Sequence, residues 1–362
     1  MIRTYSFPAI DRVVHGPGAT ARVPALVDEL GTRVMIVTGR TLATETPLVD
    51  ALAEALGDRH VATYARMRAH APRVDIEEAI EQARDARADV LIGYGGSSVT
   101  DATKIVALRL AEAGAEARVP QIHVPTTLSS GEWTPASGMT GDIPGVKTYV
   151  ADPRMAPFAI VLDPEVTTYT PAELWLSTGM KVVDHACEML WGARSHPFTD
   201  TLAQEAIRRI RRSLPLTHAD PSAMEPRADC QIAGWMSMAG IVNVRVHLSH
   251  TLGHQIAARW DVGHGITSGI TLPPVVRFMA GEHPDGVRRV AEAFDVEGAD
   301  AAARAITDLV VALDLPTRLR DVGGRRDDFA AIADATIAAG RATGYLPTGG
   351  SDALVALLDE MW

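Results

Sequence analysis

Two rhythms of apolar and polar positions divide the chain. Over the first 165 residues, short apolar runs alternate with amphipathic stretches. "VMIVT" (Val34 to Thr38) reads as a buried strand, and "PLVDALAEALG" after it has the three-and-four apolar spacing of a helix. "DIEEAIEQARDARA" predicts the next helix, with Asp75 as its N-cap and Glu78 completing a capping box. "DVLIGYGG" is a second strand running into glycines, "DATKIVALRLAEAG" a helix, "PQIHVPTT" a third strand, and "FAIVLDP" a last one. Strand–helix alternation of this kind predicts a doubly wound parallel sheet covered by helices.

Past residue 165 the rhythm becomes helical almost throughout. "PAELWLSTGMKVVDHACEMLW", "TDTLAQEAIRRIRRSL", "CQIAGWMSMAGIVNVRVHLSHTLGHQIAA" and "SDALVALLDEMW" are read as long helices, with few β-branched interruptions. The expected organisation is an α/β domain over 1–165 and an all-α domain over 166–362. A ligand is expected in the cleft between two such domains.

Composition narrows the function. With 362 residues, 47% of them hydrophobic, the chain can build two sizeable cores. A net charge of −11 without a basic block argues against a nucleic-acid partner. No apolar run is long enough to cross a bilayer, and "MIRTYSFPAI" lacks the features of a secretory signal, so a cytoplasmic protein is expected. Cys187 and Cys230 form no metal or redox motif.

Three stretches carry candidate chemistry. "GYGGSSVTDATK" (Gly93 to Lys104) joins a strand to a helix. It is either a phosphate cradle at a helix N-terminus or a tight turn, and it lacks the last glycine of GxGxxG, Ser98 standing there. "HVPTTLSSGEWTP" (His123 to Pro135) is rich in hydroxyls that can hold a ribose or diphosphate, or simply stabilise a loop. The third is a histidine set. Lys181 and His185 are four apart on one predicted helix, and so are His250 and His254, with His264 in a following turn and His247 read as a neighbour. Clustered histidines at this spacing mark either a metal site or a proton-transfer site.

Taken in order, these motifs resemble the iron-containing (group III) alcohol dehydrogenase family over essentially the whole chain. The family's GGGSxxD appears as "GGSSVTD" (Gly95 to Asp101), with Ser97 in place of the third glycine. "PTTLSSGEWTP" is similar to the loop of the maleylacetate reductase branch, PTTxxxSExTP. The family's G-x-D-A-x-x-H-A-x-E reads "GMKVVDHACE", and "HTLGHQIAARWDVGHG" followed by "LPPVVRF" keeps the three-histidine spacing. The resemblance implies a dehydroquinate synthase-like fold: an α/β dinucleotide-binding domain followed by an all-α catalytic domain. It also implies an NAD(P)-dependent oxidoreductase acting on a small carbonyl or alcohol substrate, and a homodimer. Together with the motif readings it places the cofactor at Gly39, Arg40, Gly95, Gly96, Ser97, Ser98, Asp101, Thr126, Thr127 and Ser130. Catalysis falls to Lys181, His185, His250, His254 and His264.

One position departs from the family. Metal-dependent members use an aspartate and three histidines; by position the histidines are His185, His250 and His264, and the aspartate falls on Lys181. An ammonium ligates no divalent cation. At a separation of ~5 Å and an effective dielectric of ~20 the two would repel by about 6–7 kcal/mol. Asp184 points elsewhere around the helix and is expected to pair with Lys181. The maleylacetate reductase branch also lacks the aspartate, so no metal is expected. Lys181 and protonated histidines are expected to stabilise the developing oxyanion, with His254 or His250 supplying the proton. In NAD-preferring members an aspartate ends the first strand of the nucleotide domain; here Gly39 stands there and Arg40 follows, which implies NADP(H) in preference to NAD(H). The alternatives are a metal-dependent alcohol dehydrogenase and a dehydroquinate synthase-like lyase. The second uses several substrate-binding lysines, whereas this chain has only Lys104, Lys147 and Lys181.

Overall fold

The structure, a computed structural model, describes residues 4–114, 118–141, 147–244 and 248–362. Contacts divide them into two compact units: residues 8–171, and Ala172–Trp362 together with residues 4–7.

The first unit is a six-stranded sheet with order β1-β8-β5-β4-β2-β3, every neighbouring pair parallel. Its strands are β1 (Arg12–His15), β2 (Val34–Thr38), β3 (His60–Tyr64), β4 (Val90–Gly95), β5 (Gln121–Pro125) and β8 (Ala159–Leu162). The helices are α1 (Val23–Val27), α2 (Arg40–Glu45), α3 (Leu48–Leu56), α4 (Arg73–Asp85), α5 (Ser97–Gly114) and α6 (Pro164–Thr167). Every residue of β2, β4, β5 and β8 is buried, which is why they read as largely apolar runs; β5 carries two buried polar residues, Gln121 and His123, that hydrogen-bond each other at 2.9 Å. One cluster packs Met35, Val37 and Leu91 under α4 and α5; the other packs Ile36, Ile92 and Val124 under Leu52 and Leu56 of α3. Each such side chain contributes about 1.5–3 kcal/mol.

β1 and β3 carried no clear signal, since their residues are only half-buried at the two sheet edges. A hairpin of β6 (Ala136–Thr140) and β7 (Lys147–Ala151) also went unpredicted. Asp75 does not cap α4: Pro72 stands at the cap, and Asp75 lies inside the first turn. Its buried carboxylate instead accepts from the backbone N–H of Arg68 (2.9 Å) and from the Arg68 guanidinium.

The second unit is helical: α7 (Ala172–Trp191), α8 (Pro197–Ala219), α9 (Met224–Met238), α10 (Leu248–Trp260), α11 (His264–Glu282), α12 (Pro284–Ala293), α13 (Ala299–Ala312), α14 (Phe329–Thr343) and α15 (Gly350–Glu360). The stretch Cys230–Ala258, read as one helix, is broken: α9 ends at Met238 and a 3-10 turn spans Ile241–Asn243 before α10. Gly240 sits at this break, and a side chain there would collide with Thr199 and Tyr5. Residues 4–7 are fastened to this region. The Ser6 N–H donates to Asn243 Oδ1 and Asn243 Nδ2 donates to the Ser6 carbonyl, both at 2.7 Å. The Tyr5 ring packs on Phe7 and edge-on to Phe198, with centroids 5.1 and 5.7 Å apart.

Candidate active site

In the α/β unit the sheet order collects the cofactor candidates. Thr38 of β2 is level with Tyr94 of β4, and Gly95 with Pro125 of β5. Gly39, Gly95 and Thr126 therefore follow one another along the carboxyl ends of three adjacent strands. β2 leads to β3 on one side and β4 to β5 on the other, so the chain reverses direction between β2 and β4. Such a switch point is where doubly wound sheets bind nucleotides.

The turn from β4 into α5 requires its glycines. Gly95 has φ +154°, and a Cβ there would lie 2.9 Å from Val99. A Cβ on Gly96 would lie 3.1 Å from Thr127 Cγ2, so the turn and the hydroxyl loop run in close contact. Ser97 is exposed at the start of α5, where helix N–H groups favour an anion. Ser98 is partly committed, because its Oγ accepts from the His70 N–H at 2.9 Å. In the loop, Thr126, Thr127 and Ser130 are all buried. Thr127 Oγ1 and Ser129 Oγ share a 2.9 Å hydrogen bond, and Ser130, left-handed at φ +60°, donates to the Leu128 carbonyl. Gly39 is extended at φ −89°, and a Cβ there would just touch the Met67 carbonyl oxygen at 3.4 Å, while Arg40 is exposed. The backbone there would accept another residue. These features fit a dinucleotide.

In the helical unit α7 is buried from Trp175 to Trp191 except at Lys181, which is half-buried. Lys181 is thus not a solvated surface lysine. Four imidazoles form a continuous array: His185 to His250 at 5.4 Å between ring centroids, His250 to His254 at 4.4 Å, and His254 to His264 at 4.1 Å. His264 is the first residue of α11 and not part of a turn. Gly265 explains how it gets there: a Cβ at 265 would sit 2.3 Å from the Ser177 carbonyl oxygen, so only glycine lets α11 approach α7 this closely. His247 lies outside the described residues.

Charge in the array is set by burial. The His185 imidazole is held neutral, well below its usual range, by burial, then by the Lys181 ammonium and His250. The expectation that protonated histidines share the oxyanion therefore fails at His185. Its Nδ1 has no hydrogen-bond partner among the described residues. Lys181 acts on Asp184 as a nearby positive charge. Asp184 also accepts from Ser268 Oγ at 2.8 Å, and burial pushes its carboxyl up to about 6 against the hydrogen bonds from Ser249 and Ser268.

Sequence reasoning assigned no role to Glu188, the last residue of "GMKVVDHACE". It is fully buried, and its Oε1 accepts from the Ser249 N–H at 2.9 Å. A carboxylate at the first turn of α10 satisfies free N–H groups and fixes the helix that carries His250 and His254. The signal was its place three residues after His185, one turn along the same face.

The residues around the array do not reproduce a metal site of the family's kind. The position of the anionic ligand carries an ammonium, and Asp184 is engaged by Ser268. Among the described residues no group of three or more His, Cys, Asp or Glu side chains is arranged to hold a metal ion.

Residues 11–164 match the model of the iron-containing alcohol dehydrogenase family, and residues 175–362 that of the Fe-containing alcohol dehydrogenase family, C-terminal part. The chain is 30% identical over 327 residues to a maleylacetate reductase of Sphingobium indicum, covering 90% of this chain and 89% of that one. It is 32% identical over 303 residues to maleylacetate reductase 2 of Cupriavidus pinatubonensis, covering 83% and 80%. The crystal structure of maleylacetate reductase from Agrobacterium tumefaciens superposes with a TM-score of 0.87 at 25% identity, over 100% of this chain and 99% of that one. The chain belongs to the iron-containing alcohol dehydrogenase family, on its maleylacetate reductase-like side, and is an NAD(P)-dependent oxidoreductase.

Proposed function

We propose that this enzyme reduces maleylacetate, or a carbonyl or enoyl-type oxo acid of similar chemistry, with NADPH and without a metal. The observation that carries the reading is Lys181, the one incompletely buried position between Trp175 and Trp191 of α7, one turn ahead of His185 in the imidazole array. A bound reduced nicotinamide supplies the hydride. Lys181 stabilises the negative charge that builds on the substrate oxygen by a charge-assisted hydrogen bond. His185, held neutral, adds no competing positive charge beside it. His254, flanked by the His250 and His264 rings, delivers the proton, and its neighbours offer a route for its replacement.

Metal-independence is tested by assay in strong chelator. Full activity is expected, with no stoichiometric iron or zinc in the purified protein. Activity lost on chelation and regained with added metal would replace this reading with a metal-dependent alcohol dehydrogenase held by His185, His250 and His264. Lys181→Asp, which restores the family's ligand set, is expected to raise metal affinity.

The preference for NADPH rests on Gly39 and Arg40. An acid at 39 would repel a 2′-phosphate, and Arg40, exposed at the start of α2, offers paired N–H donors to one. A Cβ at Gly39 would meet the Met67 carbonyl oxygen at 3.4 Å, about van der Waals contact, and the backbone is extended, so Gly39→Asp is expected to fold. It should move the ratio of kcat/KM for NADPH over NADH toward NADH by about tenfold, ~1.4 kcal/mol. A wild-type enzyme that already prefers NADH tenfold would show the assignment to be wrong.

A further inference from the structure

Lys104 is fully buried on α5, and the chemistry above does not use it. Its Nζ donates to three backbone carbonyls of one short segment: Gly131 at 2.9 Å, Thr134 at 3.2 Å and Ala136. Asp101, one turn earlier on α5, places Oδ1 3.7 Å away. Glu132, buried in the same segment, is a second nearby carboxylate; burial pushes it up to about 7. His123 on β5 completes the surroundings and is held at about 3 by burial and then by the Lys104 charge, so it stays neutral.

Burying a lysine is costly unless the ammonium is fully engaged. Here three carbonyls converge on it from the end of the hydroxyl loop and the first residue of β6. α5 begins at the glycine turn, and the loop begins at Thr126. Those two segments touch at Gly96 and Thr127, where a few tenths of an ångström decide whether they fit. Lys104 ties them together from beneath.

We propose that Lys104 is a positioning residue for the nicotinamide cofactor: it fixes the loop 126–136 against α5, and so sets the width of the cradle between Gly95–Ser98 and Thr126–Ser130. The proposal rests on the reading of those two segments as the cofactor cradle. Lys104 touches no cofactor itself. Its effect is on the preformed geometry, and it therefore governs cofactor affinity more than the chemical step.

The test compares wild type with Lys104→Met and Lys104→Gln as full-length protein, reading NADPH affinity by nicotinamide fluorescence, KM values and kcat at saturating NADPH. Methionine keeps the stem and removes every donor. Glutamine is shorter and keeps part of the donation. The expected result for Lys104→Met is a Kd and KM for NADPH raised about tenfold or more, because a cradle no longer held in its bound shape must be ordered at the expense of binding. The substrate KM and saturated kcat should change by less than about twofold. Lys104→Gln should show the same split with a smaller rise, of about threefold. If the methionine variant does not fold, the glutamine variant decides. Unchanged NADPH affinity in a folded variant overturns the proposal, and so does a loss confined to kcat. Gly96→Val separates the two levels. If it weakens NADPH binding while both Lys104 variants bind normally, the cradle stands and the role of Lys104 falls. If it too binds normally, the cradle reading fails and the proposal with it.

Discussion

Replacing Lys181 with methionine is expected to lower kcat/KM by about 10²–10³-fold, the usual cost of removing one donor to a developing oxyanion. Methionine preserves length and packing on α7, so stability should be little changed at a half-buried position. NADPH affinity should also hold, because none of the cofactor candidates lies on α7. Lys181→Arg should recover part of the loss, since a guanidinium keeps the charge with different geometry. Steady-state rates with maleylacetate and NADPH, together with a thermal melt, make the comparison. A methionine variant working within a few-fold of wild type would leave Lys181 as a bystander and return the oxyanion to the histidines.

His254→Ala is expected to reduce turnover by about 10²–10⁴-fold, the range for a general acid or base. His254 is one of the two inner members of the array, with ring centroids 4.4 Å from His250 and 4.1 Å from His264. If it delivers the proton, small amines of suitable pKa should restore some activity to the alanine variant by acting in its place. Cofactor Kd should move little. Near-normal turnover would assign His254 to packing between its two neighbours, and an equal loss in Kd would assign it to binding.

The parts of the fold that were legible share one cause. β2, β4, β5 and β8 are buried on both faces, so burial wrote itself into the sequence as largely apolar runs, with Gln121 and His123 of β5 as polar exceptions inside them. β1 and β3 sit at sheet edges, where half-exposed positions need not be apolar, and their runs were correspondingly faint. Spacing placed Lys181 with His185 and His250 with His254 on common helix faces, and both pairs lie on helices as expected. Spacing could not reveal that Gly265 brings α11 against Ser177, since that contact joins positions nearly ninety residues apart. It also could not reveal the charge state of His185, which depends on what surrounds the helix. Asp75 illustrates a local rule overridden: its capping pattern is sound, but Arg68 provides a stronger partner. Lys104 and Glu132 lay in plain view inside recognised motifs. Their meaning arises from backbone carbonyls, which a string of side-chain identities does not record.

The clasp between Ser6 and Asn243 imposes an order on biosynthesis. The two residues are 237 apart in the chain. At 5–20 residues per second, roughly 10–50 s pass between their synthesis. By the end of that interval the whole of residues 8–171 is available to form its sheet, while Tyr5 and Phe7 have waited as unsatisfied aromatic surface on the nascent chain. Closure of the clasp therefore waits at least until α9, the helix before Asn243, has been made. The helical unit, which carries the imidazole array, is completed by the oldest part of the polypeptide.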